Sequence, residues 1–344
     1  MRIVVDVTPL SHRRTGVGNY IRGSLRGLAE AANGEHELVA FGVVSLRARE
    51  QAESSLSDLD VETRLVTLPP SAHAWRTLWS RVGYPPVERF AGRLDVFHFS
   101  DWMYPRQRAG VRSTLIHDLV PLHFPDLVHP RTRRQNLAKY RHAASTCDLI
   151  VVNSEYTAGD VAEHLFVPRE RIVVAQPGID ERFTPEGPRH EEDGPYVLML
   201  SADEPRKNFD RLAEAVEMVR TRRPELRLIA PAWVDDDHLP ALYRGAAVFA
   251  YPSLFEGFGI PIVEAMACGT PVVASSHPSL DEACGEAALR ADPLSREAIA
   301  AALEGALVER ASLAAKGLDH ARRFSWRACG DAHLRAFEGA APGT

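Results

Sequence analysis

The 344-residue sequence has few cysteines, and they are scattered. Cys147, Cys268, Cys284 and Cys329 offer no C-x-x-C spacing, so neither a zinc knuckle nor a disulfide-stapled secreted framework fits, and they read as reduced core thiols of a cytoplasmic protein. A long apolar run is also missing. No stretch approaches the roughly 18 to 20 uninterrupted apolar residues that a membrane-spanning helix needs, and "MRIVVDVTPL" meets Asp6 directly after Ile3, Val4 and Val5, too soon for the apolar region of a signal peptide. Positive charge is not in excess either: a net charge of −6 gives no general attraction to nucleic acid or anionic lipid, and nothing supports a DNA binder. What remains is a globular composition, 45% hydrophobic and 25% charged, in a chain long enough for two domains.

Short β-branched runs recur with room for a helix between them, the pattern of parallel βαβ units. Strands are expected over 2–7, 37–42, 95–99, 113–117, 149–153 and 171–175, making one sheet. The stretch "FTPEGPRHEEDGP" at 183–195 then breaks the pattern and reads as an interdomain linker. Beyond it the alternation restarts with "YVLMLSA", "LRLIAP", "AVFAYPS", "PVVAS" and "AALRA", a second sheet, with helices at 208–222 and 261–267. The expected fold class is α/β, two doubly wound Rossmann-like domains over 1–185 and 186–324 that face each other across a cleft, with the ligand at the carboxyl ends of the strands. A terminal helix over 325–344, apolar at Phe324, Ala328, Ala332, Leu334 and Phe337, packs either on its own domain or back on the first.

The densest chemical signal is "FEGFGIPIVEAMACGTPVV" at 255–273. A strand ends near Ser253, and a helix with Pro261 in its first turn stops at Gly269. The turn between them lets Gly257 and Gly259 bring backbone close to a ligand, while the helix N-terminus favours an anion, typically a phosphate. Glu256 falls at the strand end. Glu264, read as lying in the helix's first turn, can accept hydrogen bonds from ribose hydroxyls; the alternative is two ordinary surface carboxylates.

This stretch resembles the E-x7-E signature of retaining glycosyltransferases of family 4, which have the GT-B fold. The resemblance extends to "TGVGNYIRGSL" at 15–25, "HDLVPLHFP" at 117–125, "VVNSEYTAGDVAEHL" at 151–165, "QPGIDERFTP" at 176–185, "DEPRKNFDRLAEAV" at 203–216 and "DHLPALYRGAAVFAYPSLFEGFG" at 237–259, and so covers most of the chain. It implies a metal-independent transferase moving a sugar from a nucleotide-diphosphate donor, a UDP-sugar first, to an unidentified hydroxyl acceptor. By the same resemblance the first domain binds the acceptor and the second the donor. Glu264 would bind the ribose, Glu256 with Gly257, Phe258, Gly259 and Ile260 the donor sugar, and Lys207 with Arg206 the diphosphate. His117, beside Asp118, closes the strand "STLIHD", where the family often has a histidine near the transferred sugar; His98 is a second candidate. Fixed cations beside the departing phosphate stabilise its developing charge. No protein cofactor is implied.

Gly16 and Gly18 can offer backbone N–H groups to the phosphates. They also support a rival reading, a nicotinamide-dependent oxidoreductase, weakened by Ile21 at the third glycine position. A sugar-nucleotide-binding protein without turnover is the third reading. Asp235 and Asp237 in "VDDDH" superficially suggest a metal site, but read instead as the cap and first turn of the following helix.

The chain departs from the family pattern in two places. Ser201 stands where many relatives carry an arginine, and the segment around 229–236 is shorter by a helix and a strand, leaving Trp233 or the 230–232 backbone as a substitute contact for the base. Finally, Arg131, Arg133, Arg134, Lys139 and Arg141 gather on one expected helix, near Trp75 and Trp79. They read as a solvated face beside two core tryptophans, with peripheral contact to anionic lipid as the alternative.

Overall fold

The computed structural model describes residues 1–341 except 14, 70 and 101–103. The chain divides into two compact units, one of Met1–Gly178 with the chain from Trp326 onward, the other of Ile179–Ser325. The second unit thus begins earlier than residue 186. Residues 179–185 belong to it because Phe183 packs edge-on against Tyr243, ring centroids 5.9 Å apart, inside its core.

The first unit holds seven parallel strands: β1 (Arg2–Asp6), β2 (Glu37–Val43), β3 (Glu62–Val66), β4 (Val96–Phe99), β5 (Val111–Ile116), β6 (Leu149–Val152) and β7 (Ile172–Val174). Their order is β3-β2-β1-β4-β5-β6-β7, with Ile3 in register with Leu38 on one side and Val96 on the other. The expectation of six strands omitted β3. That strand pairs only with β2 at the sheet edge, so Glu62 and Thr63 stay exposed, and its sequence ETRLV carries charges that a central strand would not tolerate.

One face of this sheet is covered by a core including Phe41, Trp79, Phe97, Phe99 and Ile150. The other meets the helices Gly16–Ala32 and Trp326–Ala340. These two cross at backbone contact: a Cβ on Gly27 would stand 1.7 Å from the Trp326 carbonyl oxygen, and one on Gly330 would stand 2.0 Å from Gly27. Glycine is required here for close approach rather than for an unusual dihedral.

The second unit holds β8 (Tyr196–Leu198), β9 (Arg227–Ile229), β10 (Val248–Tyr251), β11 (Val272–Ser275) and β12 (Ala288–Ala291) in the order β12-β11-β10-β8-β9, again all parallel. Cores on both faces, one around Phe249 and Ile262 and the other around Leu212 and Leu303, explain why these strands read as continuous apolar runs. β9 is the edge strand, and after Ile229 the next helix is Leu239–Gly245.

Candidate active site

A buried polar cluster of the second unit is built where β10 ends. From Tyr251 the chain runs through a buried loop to the helix Ile260–Ala267, entered through Gly259 at φ 100°. A Cβ at Gly259 would also press on Leu280, 2.8 Å away, so both its dihedral and its space demand glycine. Gly269, at φ 74°, follows the helix end.

Glu256 is buried, and its Oε1 accepts a hydrogen bond from Lys207 Nζ at 2.8 Å and pairs with the Arg206 guanidinium. The Glu256 N–H donates to Ser279 Oγ at 3.2 Å. Burial alone would raise the carboxyl pKa, but Lys207 and then Arg206 outweigh it and hold the group at about 2, so it stays ionised. Lys207 is also buried, not solvated, and Nζ donates to the Tyr251 hydroxyl at 2.6 Å. Burial, the largest influence, lowers the ammonium's pKa from the usual lysine range; Glu256 opposes this and Arg206 adds to it. Arg206 is anchored by the Phe255 carbonyl at 2.8 Å and by Glu204 at 2.9 Å. Asn208, at φ 67°, turns the chain into the helix Phe209–Arg220 and donates to the carbonyls of Pro252 and Pro293 at 3.1 and 2.7 Å, fastening the cationic turn to the β10 loop. Ser253 Oγ, in that loop, is buried with no hydrogen-bond partner among the described residues, which leaves a polar group for a ligand to satisfy.

Glu264 corrects one expectation. The helix begins at Ile260, so Glu264 lies in its second turn, buried, accepting a hydrogen bond from the Tyr243 hydroxyl at 3.1 Å. Burial raises its pKa to about 7, against the Tyr243 hydrogen bond and the charge of Arg182. Gly257 and Phe258 are buried in the same loop; the Phe258 ring packs on Phe324, centroids 5.4 Å apart, so only its backbone remains for a ligand. Ile260 is half-buried.

Asp235 and Asp237 do not begin the next helix, as had been expected of them. His238 is its cap residue, without a side-chain cap bond, and no acid lies in its first turn. Asp236 and Asp237 instead stand 3.6 and 3.8 Å from the Arg182 guanidinium, a pairing across the chain that spacing could not reveal. Trp233 is 47% exposed. Ser201 sits at φ 57°, its N–H bonded to the Pro231 carbonyl.

In the first unit His117 and Asp118 follow β5 and line a cavity of about 300 Å³ together with Ser100, Asn136, Lys139 and Tyr140. His117 Nε2 is buried without a partner among the described residues, and the ring meets Tyr20 edge-on at 5.3 Å. Desolvation and, less, the Lys139 charge pull its pKa to about 3, so the imidazole is neutral at physiological pH. Lys139 was expected on a basic surface; it is buried instead, donating to the Ser100 and Leu115 carbonyls at 2.8 and 2.7 Å. His98 points elsewhere: it donates to or accepts from Ser113 Oγ at 3.0 Å and packs against His333 and Phe337 of the terminal helix, so it does not line the cavity. Gly16 opens the first helix, exposed, and Gly18 N–H reaches Thr15 Oγ1 at 3.4 Å, a long capping contact. Trp79 is fully buried and Trp75 packs against it, their N–H groups on the Pro85 and Pro69 carbonyls. Trp79 is a core residue, and Trp75 packs, partly buried, against the same core. No helix among the described residues is long and apolar enough to cross a membrane.

Residues 14–183 match the family model "Glycosyltransferase Family 4", and residues 227–309 match "Glycosyl transferases group 1". The chain belongs to glycosyltransferase family 4. This glycosyltransferase is 28% identical to O-antigen chain mannosyltransferase B of Escherichia coli over 98% of its own length and 100% of the relative's. It is 31% identical to the MMP alpha-(1->4)-mannosyltransferase of Mycolicibacterium hassiacum over 58% of this chain and 55% of that one. Among solved structures it resembles HepE of Anabaena, crystallised with UDP and glucose, at a TM-score of 0.68 and 15% identity, covering 98% and 100% of the two chains. The fold of the glycosyltransferase is therefore GT-B. Membership of this family leaves the nicotinamide reading of Gly16 and Gly18 without support.

Sequence reasoning missed Tyr251 and Tyr243, which hydrogen-bond Lys207 and Glu264, and Asn208, which ties the cationic turn to the β10 loop. A tyrosine at a strand end or in a short helix carries no signal of its own until the partner is known.

Proposed function

We propose that this glycosyltransferase moves a hexose, mannose first among the choices, from a nucleoside-diphosphate donor to a hydroxyl of a glycan-type acceptor, with retention of configuration and without a catalytic metal. The carrying observation is the buried Glu256 carboxylate held by Lys207 and Arg206, which sets two cations and an ionised acid at one strand end. In this reading Lys207 and Arg206 turn to the diphosphate, Glu256 and the Gly257–Ile260 backbone hold the sugar, and Glu264 holds the ribose. The donor thus belongs to the second unit and the acceptor, near His117, to the first. The C1–phosphate bond breaks as the C1–acceptor oxygen bond forms on the same face. The departing phosphate oxygen takes the acceptor's proton, and the fixed cations stabilise the charge that develops on it. The mannosyltransferase relatives support the sugar, and HepE, crystallised with UDP, supports uracil as the base to test first.

The test is an assay of the EDTA-treated protein against UDP-, GDP-, ADP- and dTDP-linked hexoses, with the anomeric configuration of the product read by NMR. Turnover with retention is expected. Binding of a sugar nucleotide with neither hydrolysis nor transfer would mean a non-catalytic binding protein. An inverted product, or activity that vanishes in EDTA, would each remove one part of the mechanism.

A further inference from the structure

Away from the cavity, in the first unit, three side chains converge. His123 Nε2 lies 2.7 and 2.9 Å from the two carboxylate oxygens of Asp160, and His164 Nδ1 lies 3.0 Å from Oδ1 of the same acid. One donor atom from each residue falls within 4.8 Å of the others. The local sequence explains part of this: Asp160 and His164 are four apart on the helix Glu155–Leu165 and so share a face. His123 comes from a different element, the short helix Val120–His123 after β5. Asp160 is buried, whereas the imidazoles are 25% and 39% exposed, so the group is open to an ion from solvent. Among the described residues Asp160 forms ion pairs with these two rings and no arginine or lysine.

We propose that His123, Asp160 and His164 form a divalent-metal site of zinc type. Two imidazole nitrogens and one carboxylate oxygen are a ligand set for zinc, with a fourth position left for water; calcium and magnesium favour oxygen ligands throughout. Zinc bonds of about 2.0 to 2.2 Å require the triangle to open slightly. The His164 ring must also turn from the Asp160 carbonyl oxygen, which lies 3.1 Å from Nδ1, and its exposure permits that. All four cysteines are buried, so no surface thiolate competes for the ion. The metal would clamp the Val120–His123 turn, a few residues beyond His117, to the helix Glu155–Leu165. Its role is structural.

The test is calorimetric titration of the full chain, stripped with EDTA, by Zn²⁺ and separately by Mg²⁺, for the wild type, His164→Ala and Asp160→Asn. One zinc per chain is expected in the wild type and none of the magnesium response, with affinity at least about tenfold lower in each variant, since even the loss of a partner behind a ligand costs 10- to 100-fold. Saturating zinc should raise the melting temperature of the wild type and leave that of His164→Ala unchanged. His164→Ala replaces an exposed helical side chain and should melt normally without metal. Equal zinc affinity in wild type and His164→Ala, or no zinc binding below millimolar, would overturn the site.

Discussion

Lys207 Nζ lies 2.8 Å from Glu256 Oε1 although the two residues are 49 positions apart, and both are buried. The pair joins the cationic turn before one helix to the acidic loop before another. With Arg206 alongside, itself paired with Glu204, two cations and two carboxylates meet at this turn.

Replacing Lys207 is the most direct consequence. Lys207→Ala should lower turnover by about 10² to 10³, the usual loss for one fixed electrostatic contact to a transition state. Arg206 still neutralises Glu256, so the stability loss should stay below the ~3 to 5 kcal/mol seen when a buried charge is left with no partner. Steady-state kinetics with thermal melting checks both, and turnover within threefold of wild type would remove Lys207 from the chemistry.

Glu264 makes stability depend on pH in a definite sense. Its folded pKa, about 7, is above the ordinary glutamate value of 4.5, so the folded state binds the extra proton between them. The stability it contributes is fully present below the unfolded pKa and is lost as pH rises through about 7. Buried His117, lowered to about 3, acts oppositely, so the wild-type curve alone mixes the two. The difference between Glu264→Gln and wild type isolates the acid: the variant's melting temperature should gain on wild type steadily from pH 5 to pH 8. A constant offset would contradict the raised pKa. If the acid also binds ribose hydroxyls, donor affinity should rise through pH 7 in wild type and stay flat in the variant.

The glycine crossing should tolerate no side chain. Gly27→Ala places a methyl group 1.7 Å from the Trp326 carbonyl oxygen, where backbone rather than a flexible side chain must yield. Overpacking of this kind costs about 1 to 3 kcal/mol or more, so the melting temperature should fall by several degrees. Gly16→Ala, at an exposed position with nothing within 4 Å, is the control and should melt like wild type.

Trp233 follows the edge strand β9 and is half-exposed. If its ring stacks on the donor base, Trp233→Ala should weaken nucleotide binding by about tenfold, within the ~1 to 3 kcal/mol per base that stacking contributes. Calorimetric titration with UDP measures it, and unchanged affinity would assign the base elsewhere.

Parts of this were open to reading in the chain. Most strands are legible as apolar runs, and β3 is not, because ETRLV sets exposed Glu62 and Thr63 and half-buried Arg64 ahead of its one buried residue, Leu65. The stretch at 255–264 carried its own evidence in the two glycines and two acids. Lys139 carries a signal in the composition: of 40 cationic residues only three, Lys139, Lys207 and Lys316, are lysine, and two of these are buried. In a chain that otherwise chooses arginine, the compact ammonium marks places where carbonyls or a carboxylate surround a single point of charge.

Periodicity, glycine placement and motif order are local properties of the polypeptide, and from them the α/β class, the strand-loop-helix that carries Glu256 and the family resemblance all follow. Which side chains meet is a different matter. The partner of Glu256, the burial of Glu264 against Tyr243, the turning of His98 toward the terminal helix and the meeting of His123 with Asp160 depend on strand order and on crossovers tens of residues long. Those contacts exist only once the sheets are assembled, because the desolvation and charge pairing that shift each group arise from neighbours distant along the chain.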